Sequence, residues 1–171
     1  MAKEVTVIFL VDKDERYLLK LKDHLEEKLS FNARIYTYTS GEDCVANLNL
    51  DPEIVVLDYY FIAEDVGGKK LMNGIELIKN IKAAKPNIHL IMLSSETDVE
   101  IANTAIQEGA RDYIIKYEYA PIQLEYLINN IVLNRMYGPK INYWKFAAIA
   151  VGVTLIILIL YIVTGHIHIV H

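Results

Sequence analysis

The chain has 171 residues, a formal net charge of −5 and a mean hydropathy of +0.22. That length suits one ordinary domain with an appendage rather than two full domains, and the acidic balance argues against a dedicated nucleic-acid binder. One cysteine, Cys44, excludes an internal disulfide and reads as a small buried hydrophobe. The opening Met-Ala-Lys-Glu-Val lacks the apolar stretch of a signal peptide, so the N-terminus is expected in the cytoplasm.

Val5 to Val11 is a nearly continuous apolar run, predicting a strand covered on both faces. Asp12, Lys13 and Asp14 follow it. Leu18, Leu21, Leu25 and Leu29 then line one face of a helix. Arg34-Ile-Tyr-Thr-Tyr-Thr alternates and suits a sheet edge, and Ser40 before Gly41-Glu-Asp is a predicted N-cap. Ile54 to Leu57 is a second buried strand that delivers Asp58, and Ile88 to Leu93 is a third that delivers Ser94 and Ser95. Thr97 before Asp98-Val-Glu is the predicted cap of the next helix. Arg111 to Ile115 reads as the other edge strand and ends at Lys116. Pro121 fits the first turn of a helix whose inner face carries Leu124, Leu127, Ile128 and Ile131.

Five strands alternating with five helices between residues 4 and 136 predict a doubly wound, parallel α/β sheet. Ligands of such sheets bind beyond the carboxyl ends of the strands. Here Asp12, Asp14, Asp58, Ser94 and Lys116 all fall at strand ends. Carboxylates beside a lysine and a hydroxyl suit phosphoryl transfer. A divalent cation would bind the acids, Asp58 would attack, Lys116 would neutralise the equatorial oxygens and Ser94 would donate a hydrogen bond.

From Phe146 to Thr164 the chain is free of charge. Those 19 residues rise about 28 Å as a helix, against a hydrocarbon layer of about 30 Å. Tyr143, Trp144 and Tyr161 stand where interfacial aromatics belong, and Lys140 and Lys145 flank only the N-terminal side. The expected division is therefore a soluble domain over 1–137, a linker over 138–145, a transmembrane helix over 146–164 and a short tail over 165–171. The same lysines place the domain on the cytoplasmic side of a cell inner membrane, with a single pass. The first 140 residues carry −6, so the helix and not the domain surface would do the anchoring.

Several stretches resemble the receiver domain of two-component response regulators. Val-Ile-Phe-Leu-Val-Asp12-Lys13-Asp14-Glu15 is similar to the family's first strand and acidic loop, and Ile-Val-Val-Leu-Asp58-Tyr-Tyr to its phosphoacceptor strand. Met72-Asn-Gly74-Ile-Glu-Leu-Ile resembles the start of the third helix, Ile-Met-Leu-Ser94-Ser95 the strand with the hydroxyl switch, and Gly109-Ala-Arg-Asp-Tyr113-Ile-Ile-Lys116 the segment with the switch aromatic and the lysine. The resemblance implies a flavodoxin-like sheet of order 2-1-3-4-5. It implies that Asp58 accepts a phosphoryl group from a histidine kinase or a histidine phosphotransfer protein. Mg²⁺ would be held by Asp12, Asp58 and the carbonyl of Tyr60, while Ser94 and Tyr113 reorient to reshape the surface read by a downstream protein. Homodimerisation through the face of the fourth and fifth helices is left open.

Three departures qualify the resemblance. Lys13 stands where the family has a second acid. Asp14 substituting for it, Lys13 supplying charge itself, and weak Mg²⁺ binding are three alternatives. Asp58 and Gly74 lie 16 residues apart, which leaves an extra segment near 62–71. Its Gly67-Gly68-Lys69 lacks the remainder of a phosphate-binding loop, so a surface loop is the expectation. Tyr117 replaces the usual proline after Lys116, and a non-proline cis bond costs about 2.5–4 kcal/mol.

The leading expectation is thus a membrane-tethered phosphoacceptor without an output domain and with no enzymatic activity beyond loss of its own phosphoryl group. The alternative is a pseudo-receiver scaffold that is never phosphorylated. A third reading takes Asp12-x-Asp14 as the nucleophile motif of haloacid-dehalogenase-type phosphatases. Arg16, two residues after the second acid, departs from that pattern.

Overall fold

A computed structural model describes residues 5–60, 72–138, 148–157 and 159–160. The chain divides into two units, Met1–Met136 and Tyr137–His171. The first contains β1 (Thr6–Val11), α1 (Glu15–Lys28), β2 (Ala33–Tyr38), α2 (Gly41–Ala46), β3 (Ile54–Leu57), α3 (Gly74–Ala84), β4 (His89–Ser94), α4 (Val99–Gln107), β5 (Asp112–Ile115) and most of α5 (Ala120–Tyr137). The strands form one parallel sheet in the order β2-β1-β3-β4-β5. The predicted five-stranded parallel sheet is present, with the two strands expected at its edges, β2 and β5, in those positions.

Alternation along the strands explains the two layers. Ile8, Leu10, Ile54, Val56, Ile91 and Leu93 pack with the leucines of α1 and with Leu124, Ile128 and Ile131 of α5. Their neighbours Phe9, Val11, Val55, Leu57, Leu90 and Met92 point the other way, toward Cys44, Leu77, Ile78, Ile81 and Ala105. A strand buried on both faces therefore reads as an unbroken apolar run. Burial pushes the Cys44 thiol up to about 12, which makes it an inert core residue.

Local chemistry sets the helix ends. Ser40 caps α2 as expected, accepting from the Asp43 amide. Pro121 sits in the first turn of α5. The cap of α4 is Asp98 and not Thr97, because Asp98 accepts from the Glu100 amide while the Thr97 amide is tied to Glu96 Oε1. Leu29 is the C-cap of α1, one residue past the helix. In the last turn of α5, Arg135 pairs with Glu53 and reaches Thr6 at the start of β1. That end of α5 thus lies at the pole where the strands begin, opposite the pole where they end.

In the second unit, residues 148–157 and 159–160 are helical. Ile149, Val151, Val153 and Leu155 are all at least half exposed on that helix. Among the described residues no helix is long and apolar enough to cross a membrane. The remainder of the predicted 146–164 span, the flanking Lys140, Tyr143, Trp144, Lys145 and Tyr161, the 62–71 segment and the 165–171 tail lie outside the described residues.

Candidate functional site

The sheet register brings the predicted residues to one edge. Val11 pairs with Leu57, so the next residues, Asp12 and Asp58, stand side by side. The Asp58 amide donates to the Val11 carbonyl at 2.9 Å and the Asp12 amide to the Tyr38 carbonyl at 3.1 Å. Ser94 pairs with Ile115, and the Lys116 amide donates to the Ser94 carbonyl at 2.8 Å. The ends of β1, β3, β4 and β5 therefore converge, as parallel strands must.

Lys116 ties the acids together. Its Nζ lies 2.5 Å from Asp12 Oδ2 and 3.0 Å from Asp58 Oδ2. All three are buried or nearly so: Asp12 is 4 % exposed, Asp58 6 % and the Lys116 side chain 15 %. The remaining oxygens meet backbone amides, Asp12 Oδ1 that of Asp14 and Asp58 Oδ1 that of Tyr59. Burial raises the Asp12 carboxyl above its ordinary value, outweighing the Asp14 amide and Lys116, which lower it. Two carboxylates against one ammonium leave this pocket short of positive charge.

That shortfall is the test of whether a divalent cation fits, and it does. Mg²⁺ is commonly held by one or two carboxylates, with water and phosphate oxygens completing its shell. Asp12 and Asp58 provide such a pair. Among the described residues no group of three or more acidic, histidine or cysteine side chains is placed to hold a metal. Asp14 has another task. Its Oδ1 accepts from the amides of Arg16 at 2.9 Å and Tyr17 at 3.1 Å, capping α1. The acid pattern Asp12-x-Asp14 is thus divided between a buried pocket and a helix cap. Lys13 is exposed. No peptide bond among the described residues is cis, and Lys116 reaches both acids with Tyr117 following it in trans.

The switch candidates face the loop between β4 and α4. Ser94 is fully buried, and its Oγ accepts from the Glu96 amide at 3.2 Å. The Tyr113 hydroxyl donates to the Glu96 carbonyl at 2.8 Å, and burial raises its pKa. Tyr60 donates its hydroxyl to Glu96 Oε2 at 2.9 Å, and that bond raises its own pKa. Glu96 therefore ties the residues after β3 to β5 through one loop. Neither it nor Tyr17, whose ring lies beneath Lys116, belongs to a sequence pattern. Gly74 packs α3 onto the backbone of Asp58 and Tyr59, and its amide donates to the Tyr59 carbonyl at 2.9 Å.

A doubly wound parallel sheet that carries buried acids on adjacent strand ends, with a lysine across them, places this chain in the class of flavodoxin-like α/β folds. The comparisons narrow that class: residues 8–131 match the response regulator receiver domain, and the chain belongs to that family. It is 32% identical over 103 residues to the response regulator SaeR of Staphylococcus aureus, covering 60% of this chain and 41% of the relative. The chain thus spans less than half the length of that relative. A BeF3-activated DrrB receiver domain is 27% identical, with a TM-score of 0.60 over 75% of this chain and 98% of the other. The response regulator DrrB of Thermotoga maritima, an OmpR/PhoB homolog, is 25% identical, with a TM-score of 0.63 over 77% and 54%.

Proposed function

We propose that the protein is a membrane-tethered receiver in which Asp58 accepts a phosphoryl group from a phosphohistidine. The observation that carries this reading is Lys116 Nζ lying within 3.0 Å of both Asp12 and Asp58. An Asp58 oxygen forms the new bond to phosphorus as the N–P bond of the phosphohistidine breaks. The leaving imidazole keeps the electron pair and takes up a proton. Lys116 offsets charge on the equatorial oxygens, and Ser94 donates a hydrogen bond to one of them. Mg²⁺, when bound by Asp12, Asp58 and the Tyr60 carbonyl, supplies further neutralisation of the transferring group.

The donor is a histidine kinase or a histidine phosphotransfer protein, as suits a member of this family. Signalling follows from rearrangement around Ser94, Glu96 and Tyr113. Ile115, Tyr117, Tyr119, Ile122 and Tyr126 are exposed on β5, the loop after it and α5. That apolar and aromatic surface suits a downstream protein or a second copy of the chain. Intact mass after incubation with a small phosphodonor and Mg²⁺ tests the proposal. A single phosphoryl adduct supports it, and none at millimolar Mg²⁺ favours the pseudo-receiver scaffold.

Lys13 weakens the metal site by placing a cation next to Asp12. Replacing it with an acid removes that repulsion and adds attraction. Lys13→Asp is expected to lower the Mg²⁺ concentration for half-maximal binding of a phosphoryl mimic by roughly tenfold, since each ion contact near a surface is worth about 1 kcal/mol or more. An unchanged Mg²⁺ midpoint would show that Lys13 leaves the metal site alone.

The tether rests on the uncharged 146–164 stretch and on the exposed apolar side chains of its described helical part. A hydrocarbon layer would cover such residues, which are apolar on all sides of the helix. The full chain is expected to stay with membranes through an alkaline carbonate wash, while a chain ending before residue 146 does not. Release of the full chain by that wash would remove the tether from the proposal.

A further inference from the structure

The geometry points to Tyr17 as a positioning residue whose ring face holds the Lys116 ammonium beside Asp58. This inference rests on the phosphoacceptor reading and extends it to a residue outside the acid, hydroxyl and lysine set.

Three groups surround Lys116 Nζ: Asp12 Oδ2, Asp58 Oδ2 and the ring of Tyr17, whose centroid is 5.0 Å away. An ammonium at that range over an aromatic face is attracted by the ring quadrupole, more strongly where water is excluded. Tyr17 is placed by the start of α1, where its amide donates to the Asp14 cap, and by packing against the core layer of α1 and α5. The cap residue Asp14 thus acts on the site indirectly, through Tyr17.

The ring and not the hydroxyl accounts for the residue. The phenolic oxygen is buried and has no hydrogen-bond partner among the described residues, a placement that costs free energy. Burial, with Asp12 and Asp58 close by, pushes its ionisation up to about 12, so the ring is neutral across the working pH range. A neutral aromatic face does not compete for a hard divalent cation, which takes oxygen ligands.

If Asp12 turned its oxygens toward a bound metal, Lys116 would lose its shortest contact. The lysine must still sit over Asp58 to meet the phosphoryl oxygens. The Tyr17 face is the holder that stays in place when the carboxylates change partners.

The test uses the full chain in detergent, with ¹³C at the lysine ε-carbons and the Lys116 signal assigned by its loss in Lys116→Met. The ε-methylene protons are expected upfield from ring current in wild type and Tyr17→Phe, and at the ordinary lysine position in Tyr17→Leu. Beryllofluoride affinity in Mg²⁺ is expected to fall roughly three- to thirtyfold in Tyr17→Leu and to change less than about twofold in Tyr17→Phe. In a Lys116→Met background, Tyr17→Leu should add no further loss. If Tyr17→Leu fails to fold, Tyr17→Met carries the same comparison.

An unshifted Lys116 signal in wild type overturns the inference, as does an equal loss from Tyr17→Leu with and without the lysine. Wild type that binds no beryllofluoride overturns the phosphoacceptor reading instead, and the ring-current measurement then still decides the case for Tyr17.

Discussion

Asp58→Asn is expected to abolish the phosphoryl adduct that wild type acquires from a small phosphodonor and Mg²⁺, read by intact mass. The substitution keeps the shape of the side chain but replaces one carboxylate oxygen with an amide NH2 and removes the negative charge, so no nucleophilic oxygen remains. An asparagine carbonyl can still accept from the Tyr59 amide, which Asp58 Oδ1 does at 2.8 Å. Lys116 retains Asp12 as its partner, so no buried ammonium is stranded, the change that makes broken buried pairs costly. The variant should therefore unfold cooperatively and still fail to label. Labelling at the wild-type rate would move the acceptor elsewhere, with Asp12 the nearest carboxylate. Hydrolysis of a generic phosphate ester that survives Asp58→Asn and requires Asp12 would restore the phosphatase reading.

Much of this site was legible because a parallel sheet sends every strand end to one edge. Once Ile54 to Leu57 is read as a strand, Asp58 must lie beside whatever follows Val11, and Lys116 beside whatever follows Ser94. Asp14 was less legible. An acid two residues from Asp12 suits both a metal site and a helix cap, and only the position of the first turn of α1 decides for the cap. The start of α4 turned on a similar contest. Thr97 and Asp98 are both good caps, but Glu96 folds back to accept from both of their amides. That bend leaves Asp98 as the residue facing the helix. Tyr17 and Glu96 carry no pattern at all, since their roles exist only when β1, β3, β4 and β5 are brought together.

Gly74 shows how closely the acceptor is built into the fold, and it yields the largest stability prediction. A Cβ added there would lie 2.5 Å from the Asp58 carbonyl oxygen, 2.8 Å from Tyr59 Cα and 3.0 Å from Met92 Cε. Two of those neighbours are backbone atoms, which cannot swing aside as a flexible side chain would. Gly74→Ala is expected to cost about 3 kcal/mol or more in urea unfolding, the upper end for overpacking, and to slow phosphorylation by displacing the Asp58 backbone. Asn73→Ala is the control at the same helix end. It removes the capping box in which Asn73 and Glu76 exchange hydrogen bonds, at a cost of about 1 kcal/mol, but pushes nothing toward Asp58. A stability loss in both variants with slower labelling only in Gly74→Ala would tie the glycine to acceptor geometry. Equal labelling rates would reduce Gly74 to a packing residue, and wild-type stability in Gly74→Ala would mean that α3 can shift without disturbing the end of β3.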